Sequence, residues 1–290
     1  MLMIEPSRYD YLIRKALEED LADRGDVTTD AIFSGRQGTG HLVSKGKGVL
    51  AGCPVVTRVF QEIDPEIKVE FFFRDGDRLH PGDTVAQVAG RVKTVLTAER
   101  TALNFLSYIS GIATATGEFV EAAHAGGRAV ILDTRKTLPG YRGLAKYGVR
   151  VGGGKNHRMG LYDMVMIKDN HIDAAGSITK AVEKIREAYG TAYRVEVECR
   201  TLDDLREALQ LGVDIVMLDN MDLDSVSAAV SLRRELGKED ILLEVSGNMD
   251  LKKTREMSGT GVEYISVGSL THSVKAFDFS LKLGGGQYGR

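Results

Sequence analysis

Residues 128–270 repeat one pattern of hydrophobic and polar positions. A short run of apolar residues, rich in β-branched side chains, ends at a polar or charged residue, and a helix-like segment follows. The runs are RAVILDTRK, DMVMIKDNH, YRVEVECR, VDIVMLDN, ILLEVSGN and VEYISVGS. The polar residues that end the last five runs lie roughly 20 to 30 residues apart, the length of one strand and one helix. Strands that alternate with helices in this way predict a parallel sheet.

The segments between these runs are predicted to be amphipathic helices. SITKAVEKIREAYG and TLDDLREALQLG begin at Ser177 and Thr201, which can cap a helix, and each ends in a glycine. Six or seven consecutive strand–helix units without a reversal favour a closed barrel. An open doubly wound sheet is the alternative, because the order of strands in a sheet cannot be read from a sequence.

The first part of the chain follows a different pattern. KVEFFFRDGDRLHPGDTVAQVAG alternates short apolar runs with DG and PGD turns, which is typical of a separate α+β domain. A long helical stretch, residues 94–127, joins the two patterns and ends in two glycines. We predict an N-terminal domain over residues 1–110, a barrel domain over residues 111–270, and a tail, residues 271–290, that packs on the first domain.

Composition limits the class of protein. The chain has 290 residues, of which 43% are hydrophobic and 27% charged, as in a soluble globular protein and unlike a disordered or collagen-like chain. Charges at Glu5, Arg8 and Asp10 interrupt the N-terminal apolar residues, so we expect a cytoplasmic protein that does not bind a membrane. Cys53 and Cys199 are too few for a disulfide scaffold or a structural zinc site.

The net charge of −3 indicates no general attraction to nucleic acid, so any functional cations must be locally concentrated. The ends of the predicted strands supply such a concentration. They carry Arg135, Lys136, Lys168, Glu198, Asp219, Ser246, Gly247 and Gly268. In a parallel barrel these ends share one mouth. Cations that face two carboxylates there indicate a polyanionic substrate with a metal ion.

The stretch VGGGKNHRMG, residues 151–160, lies between the first two of these strands. Glycines without side chains let backbone N–H groups approach an anion, and His157 and Arg158 could then grip a carboxylate at the same rim. The alternative is a flexible surface turn with solvated charges.

Several of these residues admit an ordinary structural role. Lys168 could form a Schiff base or pair with Glu198. Asp219 could start a helix as its cap. Glu196 and Glu198 lie two apart on a strand, so both point to the same side. Arg100, in TAERTALNF, could be a solvated charge on a helix.

The chain resembles a known family. The segments that carry the resemblance are LEEDLADRGDVTT, GVLAG, AERTALNFLSYISGIAT, DTRKTLPGYR, KYGVRVGGGKNHRMGLYDMVMIKDNHI, VEVE, VMLDN, LEVSGN and ISVGSLTHSVKAFDFSLK, in that order. They are similar to quinolinate phosphoribosyltransferase, the decarboxylating nicotinate-nucleotide pyrophosphorylase of NAD biosynthesis. The resemblance implies an N-terminal α+β sandwich, an incomplete TIM-like α/β barrel and a homodimer, with higher assembly left open. It also implies the reaction: quinolinate and phosphoribosyl pyrophosphate give nicotinate mononucleotide, pyrophosphate and carbon dioxide, with Mg²⁺.

The resemblance further implies roles for individual residues. The quinolinate carboxylates and ribose phosphates would be bound by Thr134, Arg135, Lys136, His157, Arg158 and Lys168, with Arg100 reaching in from the partner subunit. Glu198 and Asp219 would hold magnesium and the ribose hydroxyls and stabilise the ribosyl cation, while Lys136 or Lys168 would supply a proton. The 5′-phosphate would lie on backbone N–H groups of Ser246, Gly247, Asn248, Ser266, Val267 and Gly268.

Three other functions stay open at this point. A molybdenum-transport-linked family shares the TRK and GGG regions. A barrel aldolase would use Lys168 as a Schiff base. A phosphometabolite-binding sensor would use the same cations for affinity alone. Release of pyrophosphate that depends on quinolinate separates the reaction implied by the resemblance from the aldolase and the sensor.

Overall fold

The computed structural model describes residue 5 and residues 9–284 of the chain. Contacts divide the chain into two compact units. The first unit comprises Met1–Gly117, Leu138–Gly153 and Val274–Arg290, and the second comprises Glu118–Thr137 and Gly154–Ser273. Residues 138–153 thus group with the first unit, whereas the sequence pattern placed them in the barrel domain. The predicted boundary between residues 110 and 111 stays a prediction.

The helices, in chain order, are α1 Asp10–Leu21, α2 Val27–Ile32, α3 Cys53–Ile63, α4 Val92–Gly126, α5 Arg142–Val151, α6 Asp169–Ala175, α7 Ile178–Tyr189, α8 Leu202–Leu211, α9 Leu223–Glu235, α10 Leu251–Ser258 and α11 Ser269–His272. Along the described part of the chain, none of them is both long and apolar enough to cross a membrane.

The strands are β1 Gln37–Ser44, β2 Gly48–Val49, β3 Lys68–Phe71, β4 Arg78–Leu79, β5 Thr84–Arg91, β6 Val130–Leu132, β7 Val165–Ile167, β8 Val195–Cys199, β9 Ile215–Asp219, β10 Leu242–Ser246, β11 Tyr264–Ser266 and β12 Phe279–Leu283.

The first unit is an α+β structure built on an antiparallel sheet. Its described strands pair in the order β12-β1-β5-β3, and β2 pairs with β4. Buried side chains from α1, α3 and the first part of α4 form its core, among them Ile13, Phe60 and Leu106. The last strand, β12, pairs with β1 from Gly40 opposite Leu283 to Ser44 opposite Phe279. The part of the predicted tail beyond residue 284 lies outside the described residues.

The second unit contains a parallel sheet whose six described strands follow the order β6-β11-β10-β9-β8-β7. Each strand pairs with its neighbour in parallel, which confirms the predicted α/β class with a parallel sheet. The first two strands of this sheet in chain order, β6 and β7, lie at its opposite edges, so the barrel is incomplete, as the family resemblance implies. The closed barrel that the pattern alone favoured is therefore wrong.

The reason lies in the segment between β6 and β7. A βαβ crossover would bring two consecutive strands of a parallel sheet together. Here Leu138–Gly153, which includes α5, belongs to the first unit instead. Only an isolated bridge from Leu132 to Lys155 remains at this edge of the sheet among the described residues.

Two predicted helix starts are confirmed in the second unit. The side chain of Ser177 accepts a hydrogen bond from the backbone N–H of Lys180 at the start of α7. Thr201 forms a reciprocal capping box with Asp204 at the start of α8.

Gly152 and Gly153 have structural uses that the sequence interpretation missed. A Cβ on Gly152 would lie 2.4 Å from the carbonyl oxygen of Ala113, so this glycine lets the end of α5 approach α4 closely. Gly153 has a φ of 93°, which favours glycine in the turn that follows. Neither lines the cavity described below. These two glycines serve helix packing and a turn, and none of residues 152–154 forms the predicted close-approach wall of the cavity.

Candidate active site

A cavity of about 540 Å³ lies at the carboxyl ends of the parallel strands. The sequence-predicted residues that line it are Thr134, Arg135, Lys136, His157, Arg158, Lys168, Glu198, Asp219, Ser246, Gly247, Asn248, Ser266 and Gly268. Val267 and Arg100 are not among the lining residues, and Arg100 is exposed on α4 in the first unit. The topology of the sheet brings the rest together, because strands that are distant in sequence end at one edge.

The structure adds lining residues that sequence reasoning did not select: Asp133, Met166, Met217, Met249, Ser269 and His272. Met166 and Met217 precede Lys168 and Asp219 by two positions, and that spacing could have placed them on the same face of their strands. His272 lies in the short helix α11, beyond the last predicted strand, and no pattern marked it.

Lys168 and Glu198 form an ion pair in the cavity, in which Lys168 Nζ donates to Glu198 Oε2. Their side chains are 41% and 10% exposed. The backbone N–H of Lys168 donates to His171 Nδ1 at 2.9 Å, which fixes the point where β7 passes into α6. Of the two roles that the sequence left open for Lys168, the structure thus shows the pair with Glu198.

Two guanidinium groups share one wall of the cavity. Burial lowers the pKa of Arg158, and the positive charge of Arg135 lowers it further, while Glu196 and Asp163 oppose this. Arg158 Nη1 donates to the carbonyl of Met164 at 3.3 Å. A wall in which two cations repel each other is stabilised when an anion binds between them.

His157 lies against two buried carboxylates. Its Nε2 is 3.0 Å from Glu196 Oε2 and 3.4 Å from Glu244 Oε2, and both glutamates are fully buried. Burial lowers the pKa of His157, but the two carboxylates more than offset this and raise it to about 10. Burial and the charge of Glu244 raise the pKa of Glu196 to about 7, against the opposing effect of His157. The sequence did not reveal this cluster, although Glu244 stands out as a charge within the apolar run ILLEV.

A tightly built turn connects the ends of β9 and β10. Asn220, with a φ of 54°, donates its backbone N–H to Ser246 and its side-chain amide to Asp219 Oδ2, at 3.0 and 2.8 Å. Gly247 has a φ of 108°, and a Cβ there would lie 2.2 Å from Asn220 Oδ1. Lys253 Nζ donates to the Gly247 carbonyl at 3.1 Å. The turn therefore has room for glycine alone at position 247.

Asp219 is not a helix cap. The cap of α9 is Asp222, whose side chain accepts from the backbone N–H of Ser225 at 2.8 Å. The Asp219 carboxylate lines the cavity, and the bond from Asn220 uses only its Oδ2, so Oδ1 can accept from or coordinate a ligand.

Comparison with known proteins decides the family. The family model described as "Quinolinate phosphoribosyl transferase, N-terminal domain" matches residues 26–110, and the model of the C-terminal domain matches residues 112–282. The chain belongs to the quinolinate phosphoribosyltransferase family. The cavity lies wholly in the part of the chain that matches the family's C-terminal domain.

Curated members of the quinolinate phosphoribosyltransferase family are similar over most of their length. The "Probable nicotinate-nucleotide pyrophosphorylase [carboxylating]" of Bacillus subtilis is 43% identical over 89% of this chain and 87% of its own. The mitochondrial "Quinolinate phosphoribosyltransferase [decarboxylating] 2b" of Nicotiana tabacum is 44% identical over 94% of this chain and 81% of its own.

A solved structure agrees with this assignment to the family. NadC from Streptococcus pyogenes superposes with a TM-score of 0.92 at 44% identity, over 97% of this chain and 98% of that one. The enzyme described as nicotinate-nucleotide pyrophosphorylase from Francisella tularensis superposes with the same TM-score at 38% identity, over 97% of this chain and 98% of its own.

Proposed function

We propose that this protein transfers the phosphoribosyl group of phosphoribosyl pyrophosphate to quinolinate and releases pyrophosphate and carbon dioxide, forming nicotinate mononucleotide for NAD biosynthesis. The observation that carries the proposal is the cavity, where Arg135, Lys136, Arg158 and Lys168 share one space with Glu198 and Asp219. Membership of the family supplies the identity of the substrates.

The cations suit a dianionic acid. Quinolinate carries two carboxylates and its partner substrate several phosphate charges, so bringing them together unaided meets strong repulsion. Arginine binds a carboxylate through two parallel N–H donors. Arg135 and Arg158 on one wall would bind the quinolinate carboxylates, and Lys136 and Lys168 would help to neutralise the remaining negative charge of the two substrates.

The turn at residues 246–248 suits the 5′-phosphate. Successive backbone N–H groups in a turn with left-handed residues form a concave site for an anion. Gly247 and Asn248 have φ of 108° and 43°, and both line the cavity. Ser266 and Gly268, at the end of the neighbouring strand β11, lie on the same cavity.

Replacing Gly247 with alanine tests this assignment. A Cβ would contact Asn220 and would strain a backbone with positive φ, so we expect a loss of about 1 to 3 kcal/mol in the free energy of unfolding. Displacement of the turn should also raise the KM for phosphoribosyl pyrophosphate by tenfold or more and leave the KM for quinolinate nearly unchanged. Thermal unfolding and steady-state kinetics measure the two effects.

Gly212→Ala is the matched control. Gly212 also has positive φ, at 66°, but it ends α8, it does not line the cavity, and its Cβ would meet no atom within 4 Å. This variant should lose stability with normal KM values. An equal change in the KM for phosphoribosyl pyrophosphate in both variants would show that the 5′-phosphate does not bind at residues 246–248.

Glu198 and Asp219 fit a magnesium ion. They end neighbouring parallel strands, both line the cavity, and their carboxylate oxygens are the hard donors that Mg²⁺ prefers. When bound, the ion would neutralise charge on the pyrophosphate leaving group. Lys168 already pairs with Glu198, so Lys168 and the magnesium ion would have to share the Glu198 carboxylate when the ion is bound.

The side chains of the chain itself account for the reaction steps. As the bond from ribose to pyrophosphate breaks, the ribosyl carbon becomes cationic, and Glu198 and Asp219 stabilise that charge. The ring nitrogen of quinolinate attacks with its own lone pair and needs no base. The nitrogen is then cationic, so the carboxylate on the adjacent carbon leaves as carbon dioxide, and its electron pair stays beside the positive charge. Lys136 or Lys168 donates the proton that replaces it.

We expect the protein to distinguish quinolinate from nicotinate by the number of carboxylates. Nicotinate lacks one carboxylate and would leave part of the positive charge of the wall without a matching anion. We expect pyrophosphate release with nicotinate to have a kcat/KM at least about a hundredfold below that with quinolinate. Comparable efficiencies with both acids would contradict the proposed substrate.

We further propose a homodimer in which Arg100 of each subunit completes the partner's site. The family resemblance and the exposure of Arg100 on α4 support this. The cytoplasmic location stays a prediction from the sequence.

A further inference from the structure

Asn220 lies beside the cavity without lining it. It follows Asp219, the last residue of β9, and Asp219 pairs with Ser246, the last residue of the neighbouring strand β10. Asp219 and Ser246 both line the cavity, whereas Asn220 does not and is exposed. Asn220 therefore adjoins two residues of the proposed substrate site and lies outside the site itself.

The side-chain amide of Asn220 orients the Asp219 carboxylate. Its Nδ2 donates to Asp219 Oδ2 at 2.8 Å. A carboxylate at the end of a strand otherwise rotates readily about its Cβ–Cγ bond, and fixing that rotation during the reaction costs free energy. The amide fixes the rotation in advance and leaves Oδ1 for a ligand.

The backbone of Asn220 contacts the neighbouring turn. Its N–H donates to the Ser246 carbonyl at 3.0 Å, which extends the contact between β9 and β10 beyond their last residues. Its side chain lies against the backbone of Gly247, where a Cβ would be 2.2 Å from Asn220 Oδ1. One residue thus contacts both the Asp219 carboxylate and the turn at residues 246–248.

The backbone conformation limits which residues suit position 220. Asn220 has a φ of 54°, and the other non-glycine residues with positive φ in the described part of the chain are Ala22 and Asn248. Glycine, asparagine and aspartate tolerate this region best. Of these three, only asparagine has a side-chain N–H to donate to Asp219. The amide is therefore a requirement beyond that of the backbone.

We propose that Asn220 is a positioning residue, which holds the Asp219 carboxylate and the turn at residues 246–248 in a fixed relation to each other. The furanose ring of phosphoribosyl pyrophosphate fixes the separation between its reacting carbon and its 5′-phosphate, so the groups that bind these two parts must keep a matching separation. Asn220 maintains it without touching the substrate. The inference rests on the proposed function, because it takes Asp219 as the group beside the ribosyl carbon and the turn as the phosphate site.

The variants Asn220→Gly and Asn220→Asp test the role of the amide. Both new residues tolerate positive φ, so both variants should fold, and neither can donate to Asp219. We expect kcat to fall about tenfold in Asn220→Gly, and further in Asn220→Asp, whose charge repels that of Asp219. The Kd for quinolinate should change by less than about twofold in both. Steady-state kinetics and isothermal titration measure these quantities.

Asn220→Asp also separates a positioning role from a structural one. Aspartate keeps the shape of the side chain and suits the backbone, so a residue that only forms the turn would be replaced by it without loss. Wild-type turnover in Asn220→Asp would therefore overturn the proposal.

Combining Asn220→Gly with Asp219→Asn shows whether Asn220 acts through Asp219. Once the charge at position 219 is gone, its orientation no longer matters, so Asn220→Gly should lower the remaining turnover by less than about twofold. Non-additivity of this kind indicates residues that act through one another. A tenfold fall in both backgrounds, about the size expected of one lost hydrogen bond, would mean that Asn220 acts by another route, and it would overturn the proposal.

Asn220→Val tests the contact with the turn. A β-branched residue is strained at positive φ, so the turn should shift and the KM for phosphoribosyl pyrophosphate should rise about tenfold. Ala22→Val is the matched control, because Ala22 also has positive φ, at 43°, and lies outside the cavity. It should lose stability and keep normal kinetic constants. The proposal fails if the KM does not rise in Asn220→Val, or rises equally in both variants.

The wild-type protein distinguishes a failure of this inference from a failure of the proposed function. If the wild-type protein releases no pyrophosphate in the presence of quinolinate, the proposed function fails and this inference fails with it. If the wild-type protein is active and the Asn220 variants retain its kinetic constants, only this inference fails.

Discussion

Replacing Asp219 with asparagine should lower turnover by about a hundredfold to a thousandfold and change the Kd for quinolinate by less than threefold. Asparagine keeps the shape of the side chain and removes its charge. That charge is needed when the ribosyl carbon becomes cationic, and it contributes little while both substrates are merely bound. Single-turnover kinetics with saturating substrates, together with quinolinate titration, measure the two quantities.

Asp222→Asn is the matched control for this prediction. Asp222 lies three residues further along and caps α9 through the backbone N–H of Ser225, outside the cavity. Asparagine is a good cap as well, so both stability and turnover should stay close to those of the wild type. Near-normal turnover in Asp219→Asn would show that its carboxylate does not act in the transition state.

Mixing two inactive variants should restore about a quarter of the wild-type activity. Arg100→Ala removes the cation that each subunit is proposed to donate, and Lys168→Ala removes a cation of the receiving cavity. Each variant alone should be nearly inactive. A mixed dimer has one site with both residues intact and one site with both lesions. Random exchange makes about half the dimers mixed, each with one good site of two.

Subunit exchange must be shown for this result to count, for example with two affinity tags that co-purify after mixing. Lys93→Ala serves as a control, because Lys93 is also on α4 and forms a surface ion pair with Asp30 at 2.7 Å. This variant should be active alone. Confirmed exchange without any return of activity would place the action of Arg100 within its own chain, or remove its role.

Local signals predicted the elements of the second unit well. Apolar runs that end in a polar residue mark the ends of β7 to β11, and Ser177 and Thr201 mark two helix starts, because strand burial and helix capping depend on neighbours in sequence. The same spacing predicted that Glu196 and Glu198 share a face. The sheet then places Lys168, Glu198 and Asp219 on one cavity, as expected for strand ends.

Features that depend on contacts between distant residues were not predicted. The barrel stays open between β6 and β7 because Leu138–Gly153 joins the other unit, and no local pattern reports that. Gly152 is explained by the backbone of Ala113, and Gly247 by the side chain of Asn220. The contact of His157 with Glu244 joins a loop to a strand that lies far along the chain. In each case the role of the residue depends on a partner that is distant in sequence.

The stoichiometry of the proposed reaction tests the proposed function with a single measurement. Purified wild-type protein would be incubated with phosphoribosyl pyrophosphate, magnesium and quinolinate labelled in the carboxylate next to the ring nitrogen. We expect one labelled carbon dioxide and one nicotinate mononucleotide for each pyrophosphate, and no pyrophosphate when quinolinate is omitted. Pyrophosphate released without carbon dioxide, or no release with both substrates present, would contradict the proposed function.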